Sequence, residues 1–221
     1  DSGGTWLVDP RSKEPTMQFL SRVGRVPLPG YIRQGVAKSH DIERYQTVFA
    51  TQPGSAAAPT AGLHFTPALL HKLTERGVRK AEVTLHVGVD TFRPISTHNI
   101  GDHEMHSEWC TVSEETVMAV CETQQQRGRV VAVGTTAVRS LETSARSGVT
   151  ESYRGATNLY IRPGYSFRAV DAMLTNFHMP RTTLMVLVSA FAGHDLIQQA
   201  YKEAMENGYR FLSYGDAMLI L

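Results

Sequence analysis

Ala81, Val83, Leu85 and Val87 alternate with Glu82, Thr84 and His86, a period of two that predicts a strand with His86 on the face opposite the aliphatic set. Just before it, Thr66 and Pro67 read as an N-cap and first helical residue, and Gly77 as the residue past the end. They predict a helix over 67–76. Ser113 with Glu114 and Glu115 opens a second helix toward Arg127, closed by Gly128. Residues 130–133 read as a short β-branched strand, 136–146 as the helix after it, and 159–161 and 170–174 as further strands. Thr182 or Thr183 starts an apolar helix ending near Gly193, in which Leu184 to Phe191 reads as core. Asp195 is expected to cap another helix that ends at Gly208, and 210–213 to form the last strand. The recurring βα order predicts an α/β fold with a mostly parallel sheet.

With 221 residues and 42% hydrophobic content, the chain can bury one good core with a small appendage. The Pro/Gly-rich stretch 26–30 cannot continue a helix and marks a boundary, dividing 1–25 from a main body over 26–221. The 22 basic residues against 21 acidic ones leave a net charge of +1, so a nucleic-acid partner would need a local basic face. Arg22, Arg25, Arg33, Lys38 and Arg44 form one such set, and Lys72, Arg76, Arg79 and Lys80 another. Cys110 and Cys121 show neither metal nor redox spacing, which points to a reducing, cytoplasmic setting. No run approaches the roughly 18 apolar residues of a membrane span.

Several positions carry candidate chemistry. His64 precedes the Thr66 cap by two residues, where the positive end of a helix dipole favours the neutral imidazole needed for proton abstraction. The alternative is a histidine that caps or packs beneath its loop. His86 ends its strand, and Asp90 and Arg93 follow within reach of the same small ligand. His103 and His106 miss the H-e-x-x-H spacing of zinc proteases and have no cysteine beside them, so no metal site is expected; His106 and Glu108 suit hydrogen bonding to substrate hydroxyls instead. Gly134-Thr135-Thr136 follows a strand and opens a helix, presenting backbone N–H groups to an anion such as a carboxylate. Arg139 and Glu142, one turn further on, read either as ligand contacts or as a surface i, i+3 pair. Asn176, Phe177 and His178 at a strand end could stack on and read an adenine, while Tyr214 and Asp216 offer a phenol and a carboxylate beside Gly215.

The stretches 58–66, 84–88 and 134–142 resemble the S-adenosylmethionine:tRNA ribosyltransferase-isomerase family of queuosine biosynthesis. The likeness continues through Arg44-Tyr45-Gln46-Thr47, 103–108, 163–165, 175–180, 189–193 and 214–218, in family order. It implies a barrel-like sheet with surrounding helices and an inserted β-barrel domain, of which 1–25 would be the remnant of a chain lacking its N-terminal part. It also implies a transferase and isomerase that uses S-adenosylmethionine as co-substrate and tRNA carrying 7-aminomethyl-7-deazaguanine as partner, without a metal, and a monomer is expected. Carried onto this sequence, His64, His86 and His178 become the candidates for proton transfer. Thr135, Thr136, Arg139, Glu142, Asn176, Phe177, Tyr214 and Asp216 become those for S-adenosylmethionine, and Arg44, Tyr45, Gln46, Asp90, Arg93, His106 and Glu108 those for the nucleotide. Three other readings stay open. A methyltransferase of the same co-substrate would show a Gly-rich loop after its first strand, a metal-dependent barrel hydrolase would explain the histidines, and a fragment could bind substrate without turnover.

Overall fold

A hydroxyl opens three of the α-helices in the computed structural model, which describes residues 8–88 and 94–221. Thr66 Oγ1 accepts the Leu69 N–H at 3.1 Å and opens α3 (Pro67–Glu75). Ser113 Oγ does the same for Thr116 at 3.2 Å and opens α4 (Glu114–Gln125). Thr182 Oγ1 takes the Met185 N–H at 3.2 Å and opens α6 (Thr183–Ala192). Each satisfies one donor that a helix start leaves over. The expected cap at Asp195 is not used: α7 (His194–Glu206) starts from Gly193, whose φ of 90° ends one helix and begins the next, and Asp195 lies in the first turn. Ahead of these come α1 (Thr16–Val23), with no buried residue, and α2 (Asp41–Arg44). Residues 8–25 carry that helix and no strand.

The strands form two sheets rather than one largely parallel sheet. β1 (Val83–His86), β2 (Glu108–Val112) and β4 (Tyr153–Thr157) pair in the order β1-β2-β4, antiparallel throughout. β3 (Val131–Val133), β5 (Ala172–Asn176) and β6 (Ala217–Ile220) pair in the order β3-β5-β6, with only β3 and β5 parallel. The expectation of a barrel-like, mostly parallel sheet is thus corrected among the described strands. β2 shows why: a charged residue, Glu108, is buried beside Cys110 and Val112 while the aromatic Trp109 is exposed, so the hydrophobic alternation is broken at its start. Residues 159–161 and 210–213 pair with no strand, and the final strand lies further on at β6.

The helix after β3, α5 (Thr135–Ser144), packs against both sheets. It contributes Val138 and Leu141 to a core shared with Val112, Met173, Val188 and Ile197. Burial of most of this helix strands its polar side chains, and several bond locally. Ser140 donates to the Thr136 carbonyl at 3.0 Å, and Thr143 meets Thr157 at 2.6 Å. A smaller cluster of Leu28, Ile32 and Tyr45 packs with Tyr214. Among the described residues no helix is long and apolar enough to cross a membrane.

Candidate active site at the carboxyl ends of β3 and β5

Because β3 and β5 run parallel, their carboxyl ends meet, at Gly134 and Asn176, where open α/β sheets bind ligands. Gly134 donates its N–H to the Leu174 carbonyl at 2.8 Å and turns with φ of 93° into α5. The first turn of α5 therefore directs the Thr135 and Thr136 N–H groups toward the strand ends. A 3-10 turn, Thr60–His64, lies over this edge with Ala61 and Gly62 buried. Gly62 is closely packed: a Cβ there would meet the Thr47 and Phe49 side chains at 3.1 Å, which would have to shift to admit it. The turn is locked to β5 by one amide. Asn176 Oδ1 accepts the Thr60 hydroxyl at 3.0 Å, and Asn176 Nδ2 stands 3.3 Å from His64 Nε2 and donates to the Asp216 carbonyl at 3.4 Å. Asn176 is buried while His64 is exposed, so its imidazole is held at one edge and open to a ligand at the other. Asp216 accepts the Arg210 N–H at 2.7 Å and Arg210 Nη2 at 3.2 Å, and these bonds hold its carboxyl below the usual carboxylate range.

A second polar centre lies between α5 and the antiparallel sheet. Arg139 and Glu108, both buried, form an ion pair through Nη1 and Oε2, and Glu108 Oε1 also accepts the Gly88 N–H at 3.0 Å. His106 Nε2 reaches the same carboxylate at 3.4 Å, and Arg139 Nε donates to the Leu159 carbonyl at 3.3 Å. Arg139 is thus neither a surface residue nor paired with Glu142. Glu142 is wholly buried and accepts the N–H groups of Arg168, Ala169 and Val170 and the Tyr165 hydroxyl, all within 3.0–3.2 Å. Burial, with the Glu142 carboxylate beside it, pushes the Tyr165 phenol up. Glu142 holds a loop and has little left to offer a ligand.

The other expected residues divide by position. Thr175 and Asn176 alternate on β5, and His178 Nε2 bonds Thr175 Oγ1 at 2.9 Å, so His178 belongs to the face opposite His64. Its N–H meets Tyr201 Oη at 2.7 Å, and burial pushes its imidazole down to about 4, leaving it neutral at physiological pH. Phe177 is core, packed edge-on against Tyr201 and Tyr209 and tilted against Phe211. Tyr45 is also buried, its phenol pushed up to about 12, whereas Arg44 and Gln46 are exposed. Tyr214 donates to Asp41 at 3.0 Å, with the Arg44 guanidinium 6.0 Å from its ring centroid. His86 lies under Gly54, where a Cβ would come within 2.8 Å of Nδ1, and that buried nitrogen finds no hydrogen-bond partner among the described residues. His103 stacks edge-on to Tyr160 at 5.5 Å, away from the carboxylate that His106 engages. Asp90 and Arg93 lie outside the described residues. Thr60 was not anticipated. Its only signal is its place in the same short stretch as His64, and its partner lies 116 residues away. A cavity of about 1010 Å³ opens between β1 and β3; it shares Gly62 and Thr136 with the site, but none of His64, His86 and His178 lines it.

The family model described as queuosine biosynthesis protein matches residues 3–220. The chain belongs to the queuosine biosynthesis protein family. Within that family it is 52% identical over 211 residues to the S-adenosylmethionine:tRNA ribosyltransferase-isomerase of Cupriavidus metallidurans, covering 95% of this chain and 60% of that protein. The Thermotoga maritima protein of the same name is 55% identical over 204 residues, covering 92% and 60%. A crystal structure of S-adenosylmethionine tRNA ribosyltransferase from Thermotoga maritima superposes with a TM-score of 0.61 at 50% identity, covering 73% of this chain and 51% of that one. The chain thus spans about 60% of the length of the curated relatives it matches.

In this queuosine-family chain four of the nine residues in the two basic sets pair with acidic neighbours. Arg22 pairs with Glu14 at 3.0 Å, Arg33 with Asp41, Arg79 with Glu122 at 2.5 Å and Lys80 with Glu82 at 2.7 Å. Asp41 itself is held at about 2, chiefly by the Lys38 N–H and then by Arg33 and Tyr214, against the cost of its burial.

Proposed function

We propose that this chain forms the S-adenosylmethionine-handling part of a cytoplasmic tRNA ribosyltransferase-isomerase, the activity named for its relatives. The reaction moves the ribosyl group of S-adenosylmethionine onto the aminomethyl group of 7-aminomethyl-7-deazaguanine in tRNA and isomerises it. The product is epoxyqueuosine, with adenine and methionine released. The observation that carries this reading is the convergence at one sheet end of His64, Asn176, Asp216 and the first turn of α5, all from separate motifs.

The chemistry suits such a site. The sulfonium of S-adenosylmethionine acidifies its neighbouring C5′ hydrogens and makes a neutral thioether the leaving group, so the protein must supply a base active near neutral pH. His64 and His86 are the two candidates for that proton. The Thr135 and Thr136 N–H groups suit the carboxylate of the methionyl end. Exposed Arg44 and Gln46 are placed to meet the nucleotide. His178 is neutral and tied to Thr175, so a direct proton transfer to departing adenine is not assigned to it.

The test is epoxyqueuosine formation on tRNA carrying 7-aminomethyl-7-deazaguanine. This chain alone is expected to fold but turn over little, and the same sequence extended to the family length is expected to be active. No ribosyl transfer by the extended protein would refute the reading, and equal turnover by the two would refute the need for the added part.

A further inference from the structure

Asn176 makes three contacts through one amide, and together they dictate the chemical state of His64. The Asp216 backbone carbonyl can only accept a hydrogen bond, so the Asn176 atom 3.4 Å from it must be the NH2 group. The amide oxygen then faces Thr60 Oγ1 at 3.0 Å, where a hydroxyl can donate. One Nδ2 hydrogen goes to Asp216, and the other points at His64 Nε2, 3.3 Å away. A nitrogen facing a donor must present its lone pair, and a neutral imidazole has only one. Protonation at Nε2 would set N–H against N–H.

From this geometry we infer that Asn176 is a positioning residue that holds His64 as the neutral Nδ1–H tautomer, so that His64 meets the substrate as a hydrogen-bond donor. The nitrogen with the lone pair faces a buried amide, and Nδ1, on an exposed side chain, carries the hydrogen. His64 then orients an acceptor oxygen or ring nitrogen of the ribosyl donor, and the C5′ proton goes to another group, with His86 the remaining candidate. This role in ribosyl transfer rests on the proposed function, whereas the tautomer does not.

Long-range 15N–1H correlation spectra of the 221-residue chain at neutral pH, with His64 assigned by comparison with His64→Gln, read the tautomer without any assay of activity. The expected pattern is a protonated Nδ1 and a bare Nε2, the reverse of the Nε2–H preference of free histidine. Asn176→Asp replaces the donor with an acceptor and is expected to move the hydrogen to Nε2, whereas Thr60→Val should leave the wild-type pattern in place. A wild-type His64 with hydrogen on Nε2 overturns the inference even if neither variant folds. An unchanged pattern in a folded Asn176→Asp protein overturns it as well. Failure of ribosyl transfer in the extended protein with the Nδ1–H pattern intact would instead count against the proposed function alone.

Discussion

Arg139 on α5 pairs with Glu108 on β2, 31 residues earlier, although Glu142 stands only one helical turn from it. The pair is buried on both sides, so removing one partner takes from the other its main charge-assisted contact in a site poorly reached by water. Arg139→Met or Glu108→Gln is expected to cost about 3–5 kcal/mol in urea unfolding. The double variant should lose less than the two single changes added together. Additive losses would mean that the two residues do not act as a pair.

Glu142 answers a different need. Its carboxylate gathers three successive backbone N–H groups and a phenol, and an amide would turn a donor toward them. Glu142→Gln is expected to lower stability by about 3 kcal/mol. Binding of S-adenosylmethionine by the folded remainder should stay within about twofold, a change worth less than the typical hydrogen bond. Titration calorimetry beside a melting curve separates the two, and a large loss of affinity at unchanged stability would return Glu142 to the ligand site.

His178 makes stability depend on pH with a definite sign. Its folded pKa lies at about 4, below the ordinary 6.5, so the unfolded chain takes up a proton first on acidification. Above 6.5 both states are neutral and the group contributes no slope; stability is then lost as pH falls from 6.5 toward 4. The loss is expected to be about 2–3 kcal/mol, reduced because the ring keeps some contact with water. Urea midpoints measured across that window should fall less steeply in His178→Asn than in the parent. Equal slopes would show that other groups carry the dependence.

Solvent exchange of the C5′ hydrogens of S-adenosylmethionine distinguishes the histidines in the family-length protein, provided the parent exchanges measurably. Loss of a general base typically costs about 100-fold to 10,000-fold. His86→Ala is expected to show a loss of that size. His64→Ala should keep exchange within about tenfold while losing turnover. Loss of exchange in His64→Ala with retention in His86→Ala would reverse the assignment and remove the donor role of His64.

The helix starts at Thr66, Ser113 and Thr182 were legible because a cap is a local event: a hydroxyl, a following N–H and a suitable first turn all lie within four residues. The strand around His86 and the glycine turn into α5 were legible for the same reason. The family motifs also marked the stretches from which the site is assembled. Sheet order was another matter. β2 buries Glu108 beside Cys110 and Val112 and exposes Trp109, which breaks the alternation that would announce it, and the sequence therefore predicts a mostly parallel sheet where an antiparallel one stands. Side-chain roles diverged in the same way. Arg139, Glu142, Phe177 and Tyr45 all look available on the line of the sequence, yet each is buried against partners that only the packing of α5, β5 and the 26–45 segment provides. Local hydrogen bonding and periodicity reach a few residues along the chain, whereas the state of His64 is decided by an amide 112 residues away.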